Sequence, residues 1–196
     1  MKEKMKRDFS LLLWLFNSPR ETRDIIRLDL HEAGLLYKYA SQQWKTMPKT
    51  RDGNIILEIG RYWAGSLMLL AIATHDSKVK IISVDAIEGC HDPDVDDWLN
   101  DYEEKERIDI RTENSHAMKN VPLSMLFVDG DHSYDGIKKD FYHHWNYLHG
   151  PCLCHDYTDP TTPGVTKFID EFVRDGYALI TEQVGTMIVL KKLNNL

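Results

Sequence analysis

Leu126-Phe127-Val128-Asp129-Gly130-Asp131-His132-Ser133-Tyr134 is the stretch on which the fold turns. The apolar run over residues 124–129 has the length of a strand, lacks polar alternation and breaks at Gly130. Downstream, Tyr134, Ile137, Phe141, Trp145 and Leu148 share one face of a helix over 134–149, and a second apolar run follows over 151–156. Unbroken apolar strands on either side of a helix are the pattern of parallel neighbours buried on both faces of a sheet.

Working outward, further runs of strand length lie at 54–59, 80–85, 107–112, 177–183 and 186–191, with helical segments between most of them. Only Gly185 and its neighbours separate the last two, so these should pair as an antiparallel hairpin at one edge. The expected architecture is α/β: a mostly parallel seven-stranded sheet with helices on both faces. Upstream, Ile26, Leu30, Ala33, Tyr37 and Ala40 recur at steps of three and four, which predicts one buried stripe on a long helix, or a broken pair, between residues 21 and 47. A polar turn at 49–53 separates this helical extension, residues 1–50, from a core over 51–196. With 196 residues the chain suits a single domain.

Composition narrows the function. A net charge of -7 argues against charge-driven binding to nucleic acid or an anionic membrane. Residues 1–50 carry ten Lys or Arg against six Asp or Glu, whereas 85–106 carry ten carboxylates and one lysine, read as a solvated face. The amino-terminal helices are expected either to cover a ligand pocket or to build a homodimer, their basic surface meeting the acidic stretch at 92–106. The opening MKEKMKRDFSLLLWLF imitates a leader, but no small-residue cleavage site follows. Its apolar run at 11–16 is too short to span a bilayer and reads as an amphipathic docking helix. Cys90, Cys152 and Cys154 form neither a disulfide framework nor a zinc knuckle and fit a reducing, cytoplasmic setting.

In an open parallel sheet, ligands bind beyond the carboxyl ends of the strands where strand order reverses. The residues at those ends are Glu58 and Gly60, Asp85, Ser115, Asp129, and His155 with Asp156. Gly60 precedes the turn Arg61-Tyr62-Trp63-Ala64-Gly65-Ser66 into an apolar helix. Glycine there allows close approach of a ligand, and equally serves a plain turn. Asp85 lies 25 residues on, near the distance at which an acid meets ribose hydroxyls in nucleoside-binding folds, although a turn or cap aspartate reads the same way. No G-x-G-x-x-G fingerprint is present, which counts against an NAD-dependent oxidoreductase. Adjacent parallel strands lie about 4.8 Å apart, so Asp129 and Asp156 can reach one ion, with oxygen ligands suiting magnesium and a histidine shifting preference toward manganese, iron or zinc. The same two carboxylates can instead cap helices or pair with Lys138 and Lys139.

The segments Asp129-Gly130-Asp131-His132-Ser133-Tyr134 and Cys154-His155-Asp156-Tyr157, with Pro163-Gly164-Val165, resemble the class I S-adenosylmethionine-dependent methyltransferases. Within them the resemblance is to the subgroup of macrocin-type sugar O-methyltransferases and cephalosporin hydroxylase-like proteins, and it covers residues 55–190. It implies a Rossmann-like domain in which Glu58, Gly60 and Ser66 border the methionine part of the cofactor, Asp85 the ribose, and the Glu113-Asn114-Ser115 turn the adenine. It further implies a divalent metal, magnesium or manganese, on Asp129 and Asp156 with His155 beside them, and His132 as general base. Ala64 stands where the family usually has glycine, and His155 where metal-dependent members have a second carboxylate. The expected reaction is metal-assisted O-methylation of a small sugar-like or catechol-like diol. A member that binds cofactor or partner without catalysis is the alternative.

Overall fold

The computed structural model describes residues 25–46, 54–75, 77–87 and 93–193. The expected docking helix at 11–16, Cys90 and His91 lie outside the described residues. Seven strands form one sheet: β1 (Ile55–Ile59), β2 (Lys80–Asp85), β3 (Ile108–Thr112), β4 (Met125–Val128), β5 (Cys152–Cys154), β6 (Ala178–Val184) and β7 (Met187–Lys192). Their order is β3-β2-β1-β4-β5-β7-β6. The first five are mutually parallel, and β7 runs antiparallel to both β5 and β6. This is the doubly wound sheet with an antiparallel edge hairpin that the apolar runs predict. The switch point lies between β1 and β4, because β1 leads outward to β2 and β3 whereas β4 begins the other half.

Alternation along each strand divides the core in two. Ile56, Ile81, Phe127, Leu153 and Val189 face α1 (Leu30–Thr46) and α2 (Gly65–Ala73). Leu57, Ile82, Leu126, Cys152 and Ile188 face α4 (Tyr134–His144) and α5 (Pro163–Arg174). On that second side Phe141, Trp145, Phe168 and Phe172 form one aromatic cluster with ring centroids 4.8 to 5.7 Å apart, in which Phe141 meets Phe168 and Phe172, and Trp145 meets Phe172, edge to face, while Phe141 stacks on Trp145. The short α3 (Pro93–Asp101) sends Val95 and Leu99 into the first core. The acidic stretch is therefore only partly a solvated face, and Glu104 within it pairs with Arg107 at 2.7 Å. No helix among the described residues is long and apolar enough to cross a membrane.

Of the helical stretch expected between residues 21 and 47, the described part is one helix over Leu30–Thr46 preceded by a non-helical 25–29. Asp29 caps it: Oδ1 of Asp29 accepts the amides of His31 and Glu32 at 2.7 and 2.8 Å. The Asp29 amide donates back to Oε2 of Glu32 at 3.0 Å, which closes a reciprocal capping box. Its buried stripe runs through Ala33, Leu36 and Ala40, whereas Leu30 and Tyr37 are exposed. Ile26 is buried through a non-helical segment that crosses Gly65, where a Cβ would overlap the Ile25 carbonyl. His144 is buried; its Nε2–H donates to the Ser115 carbonyl at 3.1 Å, and burial pushes its pKa down to about 4. The backbone tightens into a 3-10 turn at Trp145, which carries the end of α4 inward.

Glu58 follows the strand alternation to the α2 side, where it is fully buried and accepts hydrogen bonds from Ser66 Oγ at 2.6 Å and from Ser83 Oγ. Burial pushes its pKa up to about 7. A carboxyl that binds its proton more tightly when folded contributes stability that is complete below its unfolded value and is lost as pH rises through the folded one. Urea denaturation from pH 4 to 9 should therefore show the native chain losing stability between about pH 4.5 and 7 relative to Glu58→Gln; parallel curves for the two proteins would contradict the shift. Gly60 has φ of +89°, and a Cβ there would overlap the Asp129 backbone carbonyl. Gly60→Ala should cost roughly 2–5 kcal/mol in the same assay, from left-handed strain and overpacking together.

Candidate functional site

A cavity of about 790 Å³ opens along the carboxyl ends of β3, β2, β1, β4 and β5. Its size lies within the range of small-molecule sites. The parallel ladder continues past the strand ends and holds the cavity wall in place. Gly60 N–H donates to the Val84 carbonyl at 2.9 Å, Asp129 N–H to Ile59 at 2.8 Å, and His155 N–H to Val128 at 3.0 Å. Each strand therefore presents its next side chain at the rim. Gly60, Asp85, Ser115, Asp129, His155 and Asp156 all line the cavity, as expected. Glu58 and Ser66 do not; they form a buried pair beneath it.

At the β2 end, Asp85 takes three backbone amides. Its Oδ2 accepts from Arg61 at 3.0 Å and Tyr62 at 2.8 Å, and its Oδ1 from Ile87 at 2.9 Å. The residue thus does what a turn aspartate does while also facing the cavity. The loop it holds is unusual in backbone, with Tyr62 and Ala64 at φ of 47° and 64°. Ala64 is buried away from the cavity, so the missing glycine leaves the opening clear. At the β3 end, the hydroxyl of Ser115 donates to Asp140, whose carboxyl burial pushes above the usual range. Asp140 lines the cavity and was assigned no role from sequence; its position on the buried stripe of α4, one turn before His144, was the available signal.

The β4 and β5 ends bring the titratable groups together. His132 Nε2 lies 3.1 Å from Asp156 Oδ2 and 3.4 Å from Asp129 Oδ1. This nitrogen is closed to solvent yet is not aligned for a hydrogen bond to either carboxylate. One ligand atom from each of Asp129, His132 and Asp156 lies within 4.8 Å of the others. Bonds of about 2.1 Å at right angles put neighbouring ligands about 3 Å apart, so the His132–Asp156 edge fits an octahedral ion. An imidazole nitrogen aimed between two carboxylates without bonding to them fits the donor set of a divalent cation. His155, expected as a ligand, is engaged differently. Its Nδ1 faces Asp156 Oδ1 at 3.1 Å and Asp129 Oδ1 at 3.2 Å, and its Nε2 faces Glu32 Oε2 at 3.2 Å.

Burial acts to lower the His155 pKa, but contact with the two aspartates outweighs it and pushes the value up to about 11. Burial acts to raise that of Asp129, yet the two histidines hold it below the ordinary carboxylate value. Contact with Asp129 raises His132 against the opposing effect of burial, and Asp156 adds to the rise. Asp131 accepts the Ser133 amide at 2.9 Å, as a turn aspartate does. Among the described residues neither Lys138 nor Lys139 pairs with Asp129 or Asp156; the Lys138 ammonium lies 5.3 Å from the Tyr134 ring centroid. Sequence reasoning missed Glu32, whose Oε1 accepts the amide and hydroxyl of Thr186 at 2.8 and 2.9 Å. The Asp-x-x-Glu spacing at 29–32 was its only trace, and that marks a helix start rather than a site.

No family model matches the sequence, and no curated protein sequence matches it either. Solved structures do. The chain is similar to the O-methyltransferase NovP at a TM-score of 0.72 and 11% identity, covering 96% of this chain and 99% of that one. It is similar to CalS11, a TDP-rhamnose 3'-O-methyltransferase of calicheamicin biosynthesis, at 0.61 and 14%, covering 97% and 95%. A third likeness is to the SAH-bound methyltransferase PaMTH1 of Podospora anserina, at 0.64 and 15%, covering 95% and 88%. The order of the seven strands, the edge hairpin and these likenesses together show that the chain has the Rossmann-like fold of the class I S-adenosylmethionine-dependent methyltransferases.

Proposed function

We propose that the chain is an S-adenosylmethionine-dependent O-methyltransferase that acts on a hydroxyl of a small sugar-like or catechol-like diol. The observation that carries this reading is the meeting of Asp129, His132 and Asp156 at one end of a cavity whose other end offers Asp85 and Ser115. Those two ends suit a nucleoside donor and an ionisable acceptor respectively. The name of CalS11 specifies a sugar hydroxyl as that enzyme's acceptor, which favours the sugar-like class here.

Methyl transfer is an in-line displacement: the acceptor oxygen bonds the methyl carbon as the carbon–sulfur bond breaks, leaving a thioether, and the hydroxyl proton is released to solvent water. Asp129 and Asp156, with His132 completing the set, are the residues that would hold a divalent ion. Such an ion supplies a lowered hydroxyl pKa and a fixed orientation for two vicinal oxygens. Asp129, kept ionised by its two histidine neighbours, is poised for that role across the neutral range. His155 is bonded on both ring nitrogens to carboxylates and orients the aspartates instead of meeting the acceptor. Gly60 and the loop after it form the wall beside the sulfur.

A second reading has one observation in its favour. His132 Nε2 sits beside two carboxylates that stabilise its protonated form, as a metal-free general base requires. Chelation separates the two. In a tritiated-methyl assay over a panel of sugars and catechols, EDTA should abolish turnover and magnesium or manganese should restore it. Chelator-resistant turnover that His132→Ala removes would establish the general-base route. Asp129→Asn should lower turnover by at least about 100-fold in either case while the circular dichroism spectrum is retained. Full activity in that variant would remove the site from the reaction.

A further inference from the structure

The loop between β1 and α2 ordinarily offers an anion its free backbone amides, since a helix start lies there. In this chain three of those amides are occupied. The Arg61 and Tyr62 amides donate to Asp85, and the Ala64 amide donates to the Arg61 carbonyl at 2.8 Å. At the start of α2 the Gly65 α-carbon packs against the backbone of Ile25 and Ile26. The loop's own cation is also turned away: Arg61 is buried, and its Nη1 donates to the carbonyls of Ser83 at 3.3 Å and Arg111 at 3.1 Å.

A different guanidinium faces the cavity at this point. Arg27 lines it, is exposed, and lies over the rings of Tyr62 and Trp63 at 5.5 and 5.4 Å. No carboxylate among the described residues pairs with it. The two rings hold the guanidinium at the cavity wall, and its planar N–H fork is the group with which arginine recognises a carboxylate through two parallel hydrogen bonds.

Strand order says which anion this is. Ser115 and Asp140 stand at the β3 end, Asp85 at the β2 end, and Asp129 with Asp156 at the β4 and β5 ends. If base and ribose occupy the β3 and β2 ends and the reacting hydroxyl the β4 and β5 ends, the amino-acid arm of the donor falls beside the β1 loop. The other long cationic chain on the cavity wall, Lys139, adjoins Asp140 and so belongs to the nucleoside end. We propose that Arg27 binds the α-carboxylate of the methyl donor, standing in for the loop amides that Asp85 and the Arg61 carbonyl have taken. This rests on the donor reading given under the proposed function.

Calorimetric titration separates the two claims. S-adenosylhomocysteine, which carries the amino-acid arm, and 5'-methylthioadenosine, which lacks it, are titrated into the native chain, Arg27→Gln and Arg27→Lys. Arg27→Gln should weaken S-adenosylhomocysteine by at least about tenfold, the loss expected for a charge-assisted pair, and leave 5'-methylthioadenosine within about twofold. Arg27→Lys, which keeps the charge but not the planar fork, should fall between. Equal weakening of both nucleosides would overturn the proposal by marking Arg27 as packing for Tyr62 and Trp63. An unchanged affinity for S-adenosylhomocysteine, with any loss confined to the KM of the acceptor, would overturn it too. Failure of the native chain to bind either nucleoside would instead bring down the donor reading, and this inference with it.

Discussion

The backbone hydrogen bonds that prolong the parallel ladder beyond the strands hold the site together. Glu113 N–H reaches the Asp85 carbonyl, Gly60 N–H reaches Val84, Asp129 N–H reaches Ile59 and His155 N–H reaches Val128, all between 2.8 and 3.0 Å. Each bond locks the residue after a strand to the end of its neighbour, so side chains far apart in sequence share one rim with little freedom. Gly60 is where this spacing is tightest, since its backbone lies directly against the Asp129 carbonyl. Sheet and site are thus one continuous bonding pattern, and loosening the last rungs would move acids and histidines together.

Within that frame the site is organised by charge compensation. Asp129, Asp156 and Glu32 bring three carboxylates around one imidazole ring, that of His155, and burial would disfavour each of these charges alone. Mutual contact makes the group tolerable, with both nitrogens of His155 acting as donors. At the opposite end the same economy applies to dipoles. The Asp85 carboxylate gathers three amides of a loop held in left-handed backbone, stabilising a conformation that Tyr62 and Ala64 would not adopt unaided. An aspartate that organises its loop and one that faces a ligand need not be rival readings.

The sheet was legible because strands buried on both faces leave unmistakable apolar runs; the run at 80–85 coincides with β2, and the others end within one or two residues of the observed strands. The rim residues were legible for the same reason, as they follow the runs directly. Three features were not. Leu30 and Tyr37 mimic a buried stripe in spacing, but the capping box at Asp29 and Glu32 sets the helix in a different phase. Glu58 looked like a rim acid, yet strand alternation turns it under the sheet toward Ser66. The engagement of His155 is the third: its Nε2 faces Glu32, 123 residues away, and His132 rather than His155 lies in the group with Asp129 and Asp156. Nothing local to the motif at 154–157 carries that information.

The meeting of Glu32, His155 and Thr186 also bears on how the protein is made. Glu32 Oε1 receives the Thr186 amide and hydroxyl, and Thr186 Oγ1 lies 3.3 Å from His155 Nε2. During synthesis from the amino terminus, most of the sheet and the aromatic cluster of α4 and α5 can emerge before this junction is possible. The acids of the site are therefore assembled with an incomplete set of neighbours until β7 leaves the ribosome and inserts antiparallel between β5 and β6. Contacts of such long sequence separation put completion of the reactive end last, so a ribosome-bound intermediate would have a nearly finished barrier of hydrophobic packing around a centre still lacking its final clasp.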